Sequence, residues 1–148
     1  MRFSSKGRYA MASMISIAQT AGEGESVTVN SLAKRLEISK IYLEQIFSLL
    51  RKSGLVISIK GSQGGYQLAR PAGEITAYDI LSATETSLFD EPEFTVSKSA
   101  PDIESAMQSL VFRPPNNALT EMFSGVSLAD LAKEADRNRQ KDAYMYYL

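Results

Sequence analysis

The side chains best suited to chemistry lie between residues 39 and 53, where apolar residues recur at helical spacing. The buried face of that helix is expected to consist of Leu43, Ile46, Phe47 and Leu50. The opposite face then presents Lys40, Ile41, Glu44, Gln45, Ser48 and Arg51. Gln45 could bond adenine through two hydrogen bonds, Ile41 could contact a thymine methyl, and Glu44 could accept from cytosine. The pattern predicts a helix that reads base edges in duplex DNA; the alternative is an ordinary solvated surface.

The residues after this helix predict a hairpin. Residues 55–60 have β-branched, alternating character, and residues 66–69 return as a partner strand. Between them, Gly61, Gly64 and Gly65 are expected to supply the turn and a close approach to the sugar-phosphate chain, directly after the cationic Lys60. Tyr66 is expected to anchor the hairpin on the core. A helix followed at once by a basic hairpin predicts a winged helix.

Other elements must position this unit. Ser5 is predicted to cap a first helix that ends near residue 21, Asn30 or Ser31 a second, and Ser39 the third. Backbone N–H groups at the start of the first helix favour a phosphate. The side chains expected beside that phosphate are Ser4, Ser5, Lys6, Arg8 and Tyr9. Tyr42, in the third helix, is equally suited to packing on the core or to donating a hydrogen bond to a DNA phosphate.

The second half of the chain predicts helices joined by an irregular connection. Thr76 caps a fourth helix, residues 87–101 lack any sustained period, and residues 102–112 form a helix with a strong apolar face. Pro114 and Pro115 are expected to break or kink the chain after that helix. Helix resumes over 116–123, and Ser127 with Asp130 begins the last one.

These elements define the expected fold class: mainly α with a small β-hairpin. A winged helix-turn-helix domain spans 1–84, an irregular connection 85–101, and dimerisation helices with a C-terminal tail 102–148. The apolar face over 102–123 favours a homodimer, since two winged helices must be tied together to read two half-sites. The alternative is that this face packs back onto its own domain.

Charge is distributed unevenly between the two halves. Residues 1–70 contain ten basic and four acidic residues, a net charge of +6, whereas residues 71–148 contain six basic and thirteen acidic, a net charge of −7. The imbalance suggests that only the first half faces a polyanion, double-stranded DNA in this interpretation. Chance distribution over solvated faces is the alternative.

Two absences narrow the possible functions. The chain contains no cysteine and no histidine, which excludes thiolate or imidazole metal ligation, disulfides, cysteine nucleophiles and histidine-based triads. We therefore expect no catalytic residues, no metal site, no cofactor and no enzyme activity. There is also no run of about 18 apolar residues, so we expect no membrane association and a cytoplasmic location.

Four blocks of sequence are specific when taken together: SSKGRYA at 4–10, YLEQIFSLLRKSGLV at 42–56, IKGSQGGYQLARPAGEIT at 59–76 and SLADLAKEA at 127–135. They resemble the Rrf2 family of bacterial winged-helix regulators. The resemblance implies a dimeric transcriptional regulator with a long dimerisation helix. It also implies that Lys60 stands where relatives commonly carry an arginine that enters the minor groove. Lysine keeps the charge but fits a narrow groove less well.

The chain departs from the iron–sulfur members of that family. Those members carry three cysteines between the fourth and fifth helices, and the matching stretch here, 87–106, has none. The chain is similar instead to the cysteine-free, CymR-like branch of the family. That similarity implies a repressor of cysteine and sulfur metabolism genes. It also implies that the signal is relayed by a complex with cysteine synthase (O-acetylserine thiol-lyase). The expected partner-binding residues are Tyr144, Met145, Tyr146, Tyr147 and Leu148.

Three alternatives stay open from the sequence. The C-terminal tyrosines could dock on the dimer core instead of binding a partner enzyme. The regulator could respond to a small ligand lodged between the domains, with 87–106 as a mobile element. The winged helix could also bind protein in place of DNA, which would make the chain an interaction adaptor.

Overall fold

A computed structural model describes residues 1–21, 24–62 and 64–146. It is mainly helical with one small hairpin, which confirms the predicted fold class. No helix in these residues is long and apolar enough to cross a membrane.

Three helices form the first half of the winged helix, each with a hydroxyl cap. Helix α1 is Ser5–Thr20, α2 is Val29–Leu36 and α3 is Lys40–Lys52. The Ser39 side chain accepts from the Tyr42 N–H at 3.1 Å, so the predicted cap of α3 is confirmed. The other two predicted caps are wrong, since each helix begins one to three residues earlier than expected.

Backbone conformation explains both errors. Ser4 caps α1, because its extended backbone (ψ 157°) lets its hydroxyl accept from the Gly7 N–H, whereas Ser5 is already helical. Thr28 caps α2 with ψ 151°, accepting from the Ser31 N–H. The extended backbone of Thr28 follows from Val27, which forms a β-bridge to Tyr66 in the hairpin.

The hydrophobic core lies between α1 and α3. Met14 and Ile17 of α1 are fully buried. The four residues predicted to form the buried face of α3 are also fully buried, which confirms that prediction: Leu43, Ile46, Phe47 and Leu50. Leu128, from the last helix, belongs to the same cluster. Helical periodicity therefore identified most of this core, while Leu128 reaches it from the far end of the chain.

The hairpin is shorter than predicted. Strand β1 is Val56–Ser58 and β2 is Tyr66–Leu68, paired antiparallel with Ile57 opposite Gln67. The Tyr66 ring lies 4.7 Å from the Phe47 ring, centroid to centroid. Tyr66 thus anchors the wing on the core, as predicted.

The chain then turns towards the second half. A short 3-10 turn at Ala72–Glu74 precedes helix α4, Ala77–Thr84, which Thr76 and Asp79 cap reciprocally. This confirms the predicted start of the fourth helix. Residues 85–100 contain neither helix nor strand, as expected for the irregular connection.

Helix resumes at Pro101 and continues to Ser124, a segment that we call the arm. It consists of α5, Pro101–Met107, a π-helical turn, Gln108–Phe112, and α6, Arg113–Ser124. The predicted break at Pro114 and Pro115 is therefore wrong. Both prolines lie at the start of α6, directly after the wider π-helical turn, and the backbone stays helical through them.

The last helix, α7, is Leu128–Tyr146 and packs on α1. Ser127 and Asp130 exchange hydrogen bonds at its start, as predicted. The Gln19 side chain of α1 donates to Asp136 at 2.9 Å. The predicted tail is thus helical as far as Tyr146; Tyr147 and Leu148 lie outside the described residues.

Candidate nucleic-acid interface

The exposed face of α3 is a row of side chains with no part in the core. Ile41 is 72% exposed, so its side chain is available for an apolar contact with a ligand. The other residues predicted for this face are exposed as well: Lys40, Glu44, Gln45, Ser48 and Arg51. Ser39 is exposed too, although its oxygen already caps the helix.

The start of α1 meets this row. Lys6 lines one shallow surface groove together with Ile41, Glu44, Gln45 and Ser48. The groove thus joins an ammonium, which suits a phosphate, to the amide and apolar groups that suit base edges. Residues from α1 and α3 that were predicted separately therefore share one surface.

An aromatic contact fixes the relative position of these two helices. The rings of Tyr9 and Tyr42 meet edge to face, with centroids 5.6 Å apart. Tyr42 is half-buried and packs against the core, whereas Tyr9 is 41% exposed. Tyr42 therefore has a packing role, and its contact with a DNA phosphate stays a prediction.

The N-terminus of α1 carries donors and cations. Ser4, Ser5 and Arg8 are exposed, and the Arg8 guanidinium donates to the Ser5 hydroxyl at 3.2 Å. The first-turn N–H groups of a helix form a partial positive charge. In this chain, however, a carboxylate is already present: Glu85 Oε1 accepts from the Ser4 N–H and the Ser4 hydroxyl.

The wing presents Lys60 and Gly61 to solvent, away from the groove of α3. Gly64 and Gly65 have φ angles of 64° and 123°, a region that disfavours side chains. A Cβ on Gly65 would lie 2.9 Å from the Val27 carbonyl oxygen. Close approach to the protein's own backbone therefore accounts for Gly65, and its approach to DNA stays a prediction.

The basic side chains on this surface lie outside the ion pairs of the described residues. Those ion pairs are Arg70 with Asp79 and Arg137 with Glu134, both at 2.9 Å. Five cations of the predicted surface therefore pair with no acidic side chain among the residues that the structure describes: Lys6, Arg8, Lys40, Arg51 and Lys60. Their charges remain available to a polyanion.

Sequence reasoning missed a polar cluster where the connection meets the arm. Glu104 is buried, and its Oε2 accepts from the backbone N–H groups of Thr95 and Val96 at 2.9 and 2.7 Å. Its Oε1 accepts from Gln108 at 2.9 Å, and the same Gln108 amide donates to the Glu93 carbonyl at 3.0 Å. The Gln108 amide and these two N–H groups lower the pKa of Glu104.

The partners of Glu104 explain why it escaped notice. A glutamate and a glutamine four residues apart are typical of a solvated helix face, and the backbone groups they bind have no sequence signal. Gly7 and Glu85 were missed for a related reason, because they are 78 residues apart in the sequence, although the glycine inside the first turn of a helix is itself unusual.

A basic winged helix with an exposed third helix and unpaired cations defines a winged-helix transcriptional regulator. The family profile described as "Rrf2: Iron-dependent Transcriptional regulator" matches residues 3–134. The chain belongs to the Rrf2 family, a family of regulators and not of enzymes.

Individual relatives agree with this assignment. The chain is 36% identical to the HTH-type transcriptional regulator CymR of Bacillus subtilis over 148 residues, which is 100% of both proteins. It is 35% identical to IscR of Xenorhabdus nematophila over 136 residues, 92% of this chain and 82% of that protein.

Solved structures lead to the same family. The structure described as "CymR (YrzC) the Global Cysteine Regulator of B. subtilis" superposes with a TM-score of 0.72 at 36% identity, covering 90% of this chain and 98% of that one. T. potens IscR gives a TM-score of 0.70 at 36% identity, covering 99% and 97%.

The iron named in the family description would find neither a cysteine nor a histidine ligand in this chain. Cysteine and histidine are absent, and among the described residues no group of three or more acidic side chains could hold a metal ion. Glu104, in the stretch that matches the cysteines of iron–sulfur members, is already occupied by backbone N–H groups. The side chains present thus offer iron no site of the cysteine type.

Proposed function

We propose that this protein is a homodimeric DNA-binding repressor that inserts α3 into the major groove and the wing into the minor groove. The groove shared by Lys6, Ile41, Glu44, Gln45 and Ser48 carries the proposal. It presents base-reading groups and a phosphate-binding cation side by side. The protein-binding adaptor is disfavoured, since its surface would not need a row of unpaired cations.

Each part of the surface has its own task in this proposal. Gln45, Ile41 and Glu44 read base edges, because they combine exposure near the middle of the groove with groups that distinguish base pairs. The start of α1 and the remaining exposed residues of α3 contact the sugar-phosphate backbone of the DNA. These contacts position the protein on the duplex and carry no sequence information. Those positioning residues are Ser4, Ser5, Lys6, Arg8, Tyr9, Ser39, Lys40, Tyr42, Ser48 and Arg51. Lys60, Gly61, Gly64 and Gly65 form the minor-groove wing.

The arm supplies the dimer contact. Leu110 is 79% exposed and Val111 57%, and Ile103 and Met122 are also exposed. So large an apolar surface on one side of a helical arm is costly in water. A second copy of the chain covers it most economically, because a two-fold contact can present two α3 helices to half-sites about 34 Å apart, one turn of DNA.

Selection of bound fragments from genomic DNA tests the DNA-binding function. We expect an inverted repeat to be enriched, with an affinity that falls steeply as salt is raised from about 50 to 200 mM. Fluorescence anisotropy with the enriched duplex and a scrambled duplex measures this. Equal affinity for both duplexes, unaffected by salt, would contradict the proposal and favour the adaptor.

The regulated genes are proposed to be those of cysteine and sulfur metabolism, with the protein acting in the cytoplasm. Support comes from the full-length similarity to CymR, whose structure is described as that of a global cysteine regulator. Cysteine synthase is the proposed partner, and Tyr144, Met145 and Tyr146 are the described residues offered to it. They are exposed at the end of α7.

Calorimetry tests this partner. We expect cysteine synthase to bind the full chain and to lose that binding when residues 144–148 are deleted. Because these residues end a helix that is anchored by Leu128, the deletion should leave the melting temperature within a few degrees of the full chain. Undiminished binding would remove the tail from the mechanism.

A second candidate is regulation by a small effector, favoured by a cavity of about 300 Å³ beside the connection. Phe94, Ser105 and Arg113 line it, together with the Glu104 and Gln108 pair. Its guanidinium and hydroxyl suit a small carboxylate. Thermal-shift screening separates the candidates, because only this one expects a metabolite alone to stabilise the protein.

A further inference from the structure

The Glu85 carboxylate occupies the N-terminus of α1. Its Oε1 atom lies 2.9 Å from the Ser4 backbone nitrogen and 2.9 Å from the Ser4 hydroxyl, both of which donate to it. The Ser4 hydroxyl in turn accepts from the Gly7 N–H at 3.0 Å. Donors at this helix end are therefore directed at an internal anion.

Gly7 provides the space for this carboxylate. Gly7 is buried in the first turn of α1, where glycine is a poor helix former. A Cβ at this position would collide with Glu85 Oε1, while its next neighbours, Glu85 Cδ and Ser4 Oγ, would be 3.2 and 3.4 Å away. Its φ angle does not require glycine, since it is absent from the positive-φ glycines of the described residues. The carboxylate itself accounts for the missing side chain.

The site that Glu85 fills is the one assigned above to a DNA phosphate. A phosphate approaching Ser4, Ser5 and Lys6 would meet a carboxylate of the same sign and would lose the two Ser4 donors. We propose that Glu85 is a negative determinant of DNA affinity, an internal anion that competes with a backbone phosphate for the N-terminus of α1. This inference rests on the proposed DNA-binding function.

The position of Glu85 in the chain means that the conformation of the connection could regulate this competition. Glu85 is the residue directly after α4 and the first of the connection 85–100. Four residues on, the Phe89 ring packs on Tyr78 at 4.7 Å, and Thr95 and Val96 are bound to Glu104. A rearrangement of this connection would withdraw the carboxylate from α1 and free the phosphate site.

Substitution of Glu85 in the full chain tests the competition. Glu85→Gln keeps an oxygen acceptor for Ser4 and removes the charge. With a generic 30-base-pair duplex at low salt, we expect it to bind about two- to fivefold more tightly than the wild type, the range for one charge at a helix N-terminus. Glu91→Gln removes the same charge from an exposed glutamate in the same connection and should bind within about 1.5-fold of the wild type.

Salt dependence separates competition from a structural effect. An additional phosphate contact should steepen the plot of log affinity against log salt by about 0.9 in Glu85→Gln. A purely structural role would instead lower affinity and melting temperature together. Should Glu85→Gln fold poorly, the double variant Gly7→Ala, Glu85→Ala fills the vacated space with a better helix former, and we expect it to bind DNA more tightly as well.

The outcomes are distinct. If the wild type binds DNA but neither Glu85→Gln nor the double variant binds it more tightly, the role of Glu85 is overturned and the proposed function stays intact. The same holds if Glu91→Gln gains as much affinity as Glu85→Gln. A wild type that binds no duplex at low salt overturns the proposed function, and the role of Glu85 with it.

Discussion

The winged helix and the arm are stabilised in opposite ways. In the winged helix, Leu43, Ile46, Phe47 and Leu50 of α3 are fully buried within one chain. In the arm, the apolar side chains Leu110 and Val111 are among the most exposed, and the buried residues are polar, Glu104 and Gln108. The winged helix thus buries its apolar face within one chain, whereas the arm exposes an apolar face that we propose a second copy covers. Substitutions in the winged helix should therefore lower the unfolding free energy, whereas substitutions in the arm should change the oligomeric state.

Phe47→Ala should have the largest effect. Phe47 is fully buried and packs on Tyr66, the anchor of the wing, so truncation leaves a cavity that should cost about 3–5 kcal/mol of unfolding free energy. Urea unfolding followed by circular dichroism measures this. Ile41→Ala, on the exposed face of the same helix, should change the value by less than about 0.5 kcal/mol; similar losses in both variants would contradict the assignment of faces.

Leu110→Asp should leave the fold intact but separate the proposed dimer. Leu110 is 79% exposed, so a charge there costs little in one chain but is buried in an interface. We expect a monomer by analytical ultracentrifugation and a loss of roughly a hundredfold or more in affinity for a two-half-site duplex, the avidity of two linked modules. Ser105→Asp, at the cavity on the arm, is the charge-matched control and should remain dimeric.

If Leu110→Asp instead stayed dimeric with normal affinity, the apolar face of the arm would not be the dimer contact. The contrast between the two units would then have to be explained by packing within one chain.

Gln45→Ala should act only on sequence discrimination. Gln45 is exposed in the groove that it shares with Lys6, and loss of a bidentate base contact costs about 1–3 kcal/mol on the specific duplex alone. Lys60→Ala, on the wing, should weaken specific and scrambled duplexes alike and reduce the salt slope by about 0.9. Anisotropy titrations with both duplexes distinguish them; uniform weakening by Gln45→Ala would reassign it to backbone positioning.

The same contrast explains how far the sequence could predict the structure. The winged helix was predictable because buried apolar residues recur every three or four positions, as in Leu43, Ile46, Phe47 and Leu50. The caps of α1 and α2 were misplaced because several hydroxyls compete at each start, and the winner depends on the Val27 bridge to Tyr66.

In the arm, periodicity indicated the apolar face but neither the π-helical turn nor the buried polar contacts beside it. The π turn that accommodates Pro114 and Pro115 has no sequence signature. Hydrogen bonds from the Thr95 and Val96 N–H groups to Glu104, and from Ser4 to Glu85, join residues that no local pattern connects. The residues proposed to face DNA follow from their position on α3, whereas the contact of Glu85 with Gly7 could be recognised only in the folded structure.

Glu104 should give the smallest effect, visible as a dependence of stability on pH. Its pKa is lowered from the ordinary value of 4.5 by the Gln108 side chain and the Val96 and Thr95 N–H groups. The unfolded chain therefore binds this proton more readily than the folded one, so the ionised carboxylate stabilises the fold fully above 4.5, and this contribution is lost as pH falls through the lower folded pKa. Urea unfolding between about pH 6 and pH 3 should thus become easier in acid.

Glu104→Gln isolates that contribution. The variant has no proton to gain at this position, so the stability difference between wild type and variant should shrink as the pH falls below 4.5. Asp130, whose pKa is also lowered by its hydrogen bonds from Ser127, titrates in both proteins and cancels in the difference. A difference independent of pH would mean that Glu104 binds the connection no better as a carboxylate than as a neutral acceptor.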